Sequence, residues 1–152
     1  MAILRSEDLQ SPSSLNFEVG DKVELYKQQW QRFSLTLTSG ERVLALGKSG
    51  SQSERDACMF CKEPNDELAS LVTQLQELVD RSRHRVLFEP AEPSFELEIA
   101  RSGHDGITVQ VWLDAGNAKT GIYSWDAAGI RFFTLQSHLS AFLEQLKQQF
   151  AC

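Results

Sequence analysis

The chain has 152 residues, 41% of them hydrophobic and 24% charged, and carries a formal net charge of −6 at pH 7. That length suits one domain over residues 1–152, or closely packed halves at 1–84 and 85–152, with enough apolar content for a sizeable core. The acidic balance argues against nucleic acid as a partner, since phosphate binding needs clustered Lys and Arg, and no apolar run approaches the ~18 residues of a membrane span.

The opening MAILRSEDLQ has three apolar side chains in a row and then charges, so nothing reads as an export signal and a cytoplasmic location is expected. Ser11-Pro12-Ser13-Ser14 reads as a loop. Leu15, Phe17 and Val19 alternate with polar residues, a short strand, and Gly20-Asp21 reads as a turn. Tyr26, Trp30 and Phe33 stand at helical spacing, but Val23, Leu25 and the alternation that follows favour strand. Phe33, Leu35 and Leu37 then alternate with Ser34, Thr36 and Thr38, and Ser39-Gly40 offers a tight turn into Val43–Leu46. Both faces of that second strand are apolar, so cover on both sides is expected. The polar run 48–55 (KSGSQSER) reads as an exposed loop.

Cys58 and Cys61 form a C-x-x-C, and Cys152 makes the cysteine count odd. A zinc site needs four ligands, and no second C-x-x-C or paired histidine motif supplies them. A thioredoxin-type pair should follow a strand and open a helix. Here the pair precedes Lys62-Glu63-Pro64, so the two thiols read as packing groups beside Met59 and Phe60, and no cofactor is expected.

A helix is predicted from about residue 65, with Asn65 as N-cap and Asp66 and Glu67 in the first turn, where the helix dipole favours anions. Leu68, Leu71, Val72, Leu75, Leu78 and Val79 form one apolar stripe. Val86-Leu87-Phe88 is followed by Pro90 and Pro93, which makes an extended link or a sheet edge.

The most strongly patterned part of the chain comes next. In FELEIAR, Phe95, Leu97 and Ile99 share one face, with Glu96 and Glu98 opposite. GHDG (103–106) is a hairpin turn. In ITVQVWL, Ile107, Val109, Val111 and Leu113 point inward and Thr108, Gln110 and Trp112 outward. GIYSW (121–125) is a further strand-like piece, Asp126–Gly129 a turn, and IRFF (130–133) a last strand. A closing helix runs from about Gln136 to Phe150, with Leu139, Phe142, Leu143, Leu146 and Phe150 as its stripe, Gln145, Lys147, Gln148 and Gln149 mainly on its exposed side, and Thr134 or Ser137 as cap. The fold class is therefore α+β: an antiparallel sheet of hairpins and meander with two main helices packed on it.

No G-x-S-x-G, phosphate loop or dinucleotide fingerprint occurs, and His84, His104 and His138 stand singly, with His104 and His138 read as surface residues. Glu89, Glu92, Glu96 and Glu98 cluster, but paired-carboxylate hydrolysis needs a cleft and separate environments, for which the flanking sequence gives no sign. An enzyme is not expected. The candidate site is instead the outer face of the second sheet: Glu96, Glu98, Gln110, Trp112, Tyr123, Trp125 and Asp126. Trp and Tyr bring large contact area at small entropic cost. Two readings of Trp112 stay open, a core residue under a helix or a contact residue on a free face.

Three stretches carry a family resemblance. The helix DELASLVTQLQELV, the bridge RVLFEPAEPSFELEI and strand ITVQVWLD, and the closing IRFFTLQSHLSAFLEQL together resemble the WapI-type immunity proteins of bacterial polymorphic toxin systems. The family's L-x-F-x-x-P/F-x-L-x-I stretch is similar to Leu87–Ile99. Its V-x-V strand is similar to Val109–Val111, and its T-x-x-x-L-x-x-F-x-x-x-L helix to Thr134–Leu146, spaced one residue differently. The resemblance covers about residues 65–150 and leaves out the first 60, with the C-x-x-C. It implies a non-enzymatic role: binding a cognate toxin, often a basic nuclease or another effector, and blocking its site. The rival reading is a homo-oligomeric structural or regulatory domain in which Trp112 and Trp125 bury against a second copy.

Overall fold

The structure is a computed structural model that describes residues 1–25, 27–46, 58–61, 66–91, 95–114 and 127–150. Among the described residues, two antiparallel sheets and two helices make a mixed α+β fold. The first sheet holds β1 (Ala2–Arg5), β2 (Ser13–Leu25), β3 (Gln28–Ser39) and β4 (Arg42–Leu46) in that order, and β5 (Cys58–Phe60) also pairs with β3. β4 takes Leu35–Ser39 of β3 and β5 takes Trp30–Arg32, so the two short strands lie in line along one edge of the long one. The second sheet is the meander β6 (Arg85–Phe88), β7 (Phe95–Ser102), β8 (Gly106–Asp114) and β9 (Ala127–Leu135). Helices α1 (Glu67–Val79) and α2 (Gln136–Phe150) pack on each other; α1 also lies against β5 and β6, and α2 against both sheets.

The period-two pattern decides which way each strand faces. Phe33, Leu35 and Leu37 of β3 and Leu97, Ile99, Val109 and Val111 of the second sheet are all buried, and they join the helix stripes in one hydrophobic cluster. The sheets meet through aromatic rings. Phe17 stacks on Phe33 at 5.6 Å, and Phe95 of the second sheet meets Phe33 edge-on at 5.4 Å. Such pairs add roughly 0.5–1.5 kcal/mol beyond area burial.

Several expectations are corrected. Gly20-Asp21 is not a turn: β2 runs through it, with a register shift between Val19 and Lys22. The side chain of buried Gln31 holds the irregularity by donating to the Gly20 carbonyl at 2.5 Å. The chain reverses further on, at Lys27, in a left-handed conformation with φ 62°. Ser13 and Ser14 belong to β2 rather than to a loop, and β1 and β5 are strands too short to carry a period-two pattern. Val43 is exposed, so β4 is covered on one side only. The cap of α1 is Asp66, one residue later than expected, and its carboxylate accepts from the Ala69 N–H at 2.9 Å. Gly129 is within β9, not in a turn. The polar run 48–55, the GIYSW piece and Asn65 lie outside the described residues.

The helix ends are tied down by polar side chains. Arg81, just past α1, adopts φ 64°, and the N–H groups of Arg81 and Ser82 close back on Leu78 and Glu77 at 3.2 and 3.0 Å. This double closure satisfies carbonyls that a helix end leaves orphaned. The Gln136 side chain donates to the Val79 carbonyl at 2.8 Å, and the Arg101 guanidinium donates to Leu78 and Val79. Burial, and then the nearby Arg81, lower the Arg101 pKa from its ordinary value. On α2, the Gln145 amide oxygen accepts from the Ile3 N–H at 2.9 Å, and that of Gln149 from the Val19 N–H at 2.8 Å. Both glutamines, expected on an idle exposed side, therefore bind the backbone of the first sheet.

Candidate functional site

The outer face of the second sheet is built by strand register. Glu98 pairs with Leu87 and Gln110, and Gln110 with Arg131, so these four side chains form one row across the sheet. Ala100, Thr108 and Phe133 continue a second row from Arg85. Glu96 pairs with Trp112, and Trp112 with Gly129, in a third. The inward partners in the same strands, among them Val86, Leu97, Val109 and Phe132, are buried.

This geometry settles the open question about Trp112. The side chain is exposed, with 43% of its surface accessible, and neither α1 nor α2 buries it. Leu87 and Phe133 are exposed on the same face, at 52% and 62%, and Leu135 at its end is partly exposed as well. Register separates Trp112 from Leu87 by two strands and from Phe133 by two rows, so the face carries spaced large apolar side chains among polar ones rather than one continuous apolar patch. Arg131 and Phe133 point outward on the same face. Tyr123, Trp125 and Asp126 lie outside the described residues.

The charge on this face is mixed rather than acidic. Arg85 pairs with Glu98 at 2.9 Å, an exposed contact worth at most about 1 kcal/mol. Arg131 stands in the same row as Glu98 and Gln110. Glu96 and Glu89 are exposed, and Glu92 lies outside the described residues. The expected acidic cluster therefore has basic neighbours, which sequence order concealed because Arg131 reaches the row through pairing rather than proximity in the chain.

Gly129 has a specific role in this surface. A Cβ there would lie 2.0 Å from the Val111 carbonyl oxygen and 2.9 Å from the Trp112 Cα. The bare backbone lets β9 approach β8 closely and leaves the sheet surface open beside the indole.

Two other clusters deserve chemical scrutiny. His138, expected to be a lone surface residue, has partners: its Nδ1 lies 3.2 Å from a Glu7 carboxylate oxygen and 3.1 Å from the Thr134 hydroxyl. Hydroxyl, imidazole and carboxylate invite comparison with a nucleophile relay. The relay needs the base to meet hydroxyl and carboxylate through different ring nitrogens. Here both face the same nitrogen, and the buried Thr134 hydroxyl donates to the Arg5 carbonyl at 2.6 Å. The cluster is a clasp between the N-terminal strand and α2. Cys61 is buried, and burial raises its thiol pKa, with a smaller opposing effect of Lys22. That is the signature of an unreactive thiol. Cys58 opens β5 rather than following it, so the pair does not stand after a strand as a redox pair would. Among the described residues no group of three or more His, Cys, Asp or Glu converges as metal ligands would, and no helix is long and apolar enough to cross a membrane.

The family model described as the immunity protein WapI-like family matches residues 15–151. The match is wider than the similarity read from the motifs, since it takes in most of the first sheet. No curated protein and no solved structure matches the chain.

Proposed function

The chain belongs to the immunity protein WapI-like family, and from that premise we propose that it neutralises a cognate toxin by binding it, without catalysis, in the cytoplasm of a bacterium. The outer face of the second sheet is the proposed contact, through Glu96, Glu98, Gln110 and Trp112, joined by Tyr123, Trp125 and Asp126. The observation that carries this reading is the exposure of Trp112 on an outward sheet face, between Glu96 and Gly129 in its row, with Leu87 and Phe133 exposed elsewhere on the same face. A large aromatic on fixed backbone loses little entropy on contact, and hot-spot residues of this kind cost about 2 kcal/mol or more when truncated. The acidic net charge suits a basic partner, while Arg131, which has no acidic partner among the described residues, favours an acceptor on it as well.

The test is protection of cells that express a toxin domain encoded beside this chain. Trp112→Ala should keep its melting transition and lose both co-purification of the toxin and protection. Undiminished protection by Trp112→Ala combined with Phe133→Ala would remove this face from the proposal.

A second reading draws on the mixed charge. Arg85 and Arg131 beside Glu96 and Glu98 make the face self-complementary under a two-fold axis, so a second copy could cover it. Light scattering at high micromolar concentration decides this; a monomer ends it.

A further inference from the structure

We propose that the groove between β9 and the β3–β4 hairpin receives an extended acidic segment of a partner protein, which joins β9 as an added strand. The groove encloses about 660 Å³. Leu37, Leu44 and Ile130 line it with apolar surface, and Arg42 and Arg131 stand at its walls.

Three observations converge there. The first is backbone phase. Among the described residues β9 is the last strand of its sheet, and the Phe133 carbonyl accepts from the Glu7 N–H at 3.0 Å on the side away from β8. Backbone groups two residues apart in a strand point the same way. Arg131 and Gly129 therefore turn their N–H and C=O groups to that same free edge, where no described backbone group meets them. An edge with unpaired donors and acceptors is a template for strand addition. The second is charge. Arg42 and Arg131 are exposed guanidiniums without an acidic partner among the described residues, in a chain of net charge −6. The third is the apolar lining, which suits the alternate side chains of an added strand.

The combination also selects among occupants. A small anion would use the arginines but neither the strand edge nor the apolar lining. A second copy joined edge to edge about a two-fold axis at β9 would bring Arg131 towards its own counterpart. An extended segment with Asp or Glu at alternate positions uses all three features.

Selection of short random peptides displayed against the full chain, with counter-selection on the Arg42→Glu/Arg131→Glu chain, tests this directly. Enriched peptides should be acidic, should bind the double variant at least about tenfold more weakly, and should slow amide hydrogen exchange at Gly129 and Arg131. A melt identical to wild type shows that the double variant is folded, and Arg42→Gln/Arg131→Gln serves if it is not. Failure to enrich any peptide over the counter-selected chain overturns the proposal, as do enriched peptides without net negative charge. Acidic peptides that leave the two amides unprotected overturn strand addition. None of these outcomes depends on a toxin, so they are read independently of the protection assay.

Discussion

Phe132 and Phe133 are chain neighbours of identical chemistry on opposite faces of β9, 7% and 62% exposed. Replacing each by Ala isolates the effect of facing from that of residue type. Phe132 is in the shared hydrophobic cluster. Its removal forfeits nearly all the transfer free energy of a buried Phe, roughly 1.5–3 kcal/mol, and leaves a cavity that brings the total to about 3–5 kcal/mol. Phe133 keeps little more than a third of its surface covered, so its truncation forfeits under about 1 kcal/mol on the same scale. At this chain length each kcal/mol moves the midpoint by about 2–4 °C. Phe132→Ala should therefore melt roughly 6–20 °C below wild type and Phe133→Ala within about 4 °C of it. Urea titrations followed by far-ultraviolet circular dichroism supply the free energies, with equal slopes confirming that only stability has changed. Equal losses in the two variants, or a greater loss for Phe133→Ala, would refute the facing of β9 and with it the geometry of the candidate face.

Three further outcomes follow from named contacts. Asp66→Ala should cost about 1 kcal/mol by removing the cap on the Ala69 N–H, whereas Asp66→Asn should retain most of it in the same urea titration. Gly129→Ala should destabilise by about 1–3 kcal/mol or more, because its Cβ collides with the Val111 carbonyl and backbone must shift; a melt unchanged from wild type would show that the close approach is not required. Cys61 should react with iodoacetamide far more slowly than in urea, read by mass spectrometry of the labelled peptide. The linkage has a definite sign. A thiol pKa raised in the folded state favours the protonated form, so the contribution is intact below the unfolded value of about 8.5 and is lost as pH rises through the folded one.

Much of this was legible in the residues, where long alternation or a long stripe fixed the answer. The Leu68–Val79 stripe, the strands from Phe95 to Leu113 and the bounds of α2 needed no tertiary information, because each presents enough apolar positions to choose between periods of two and 3.6. What escaped is short or conditional. β1 and β5 offer one or two inward side chains each, below any pattern, and form only because β2 and β3 provide edges to pair with. Gly20-Asp21 has turn composition, yet β2 passes through because Gln31 on the neighbouring strand supplies a hydrogen bond that local sequence cannot show. Gln145 and Gln149 look idle on a helical wheel and are engaged by backbone of the first sheet, the N–H groups of Ile3 and Val19 and the Phe17 carbonyl.

The candidate face shows the same division. Alternation alone placed Glu96, Glu98, Gln110 and Trp112 together, but whether a helix covers them depends on where α1 and α2 dock. Both helices dock on the inward side because the apolar sets there, Leu97, Ile99, Val109 and Val111, match their leucine stripes and complete one cluster with the first sheet. With both stripes spent on that cluster, neither helix has an apolar surface left to cover Trp112. The exposure of the indole is thus a consequence of how the core closes. A substitution that gave a helix a second apolar stripe would alter the candidate face without touching any residue on it.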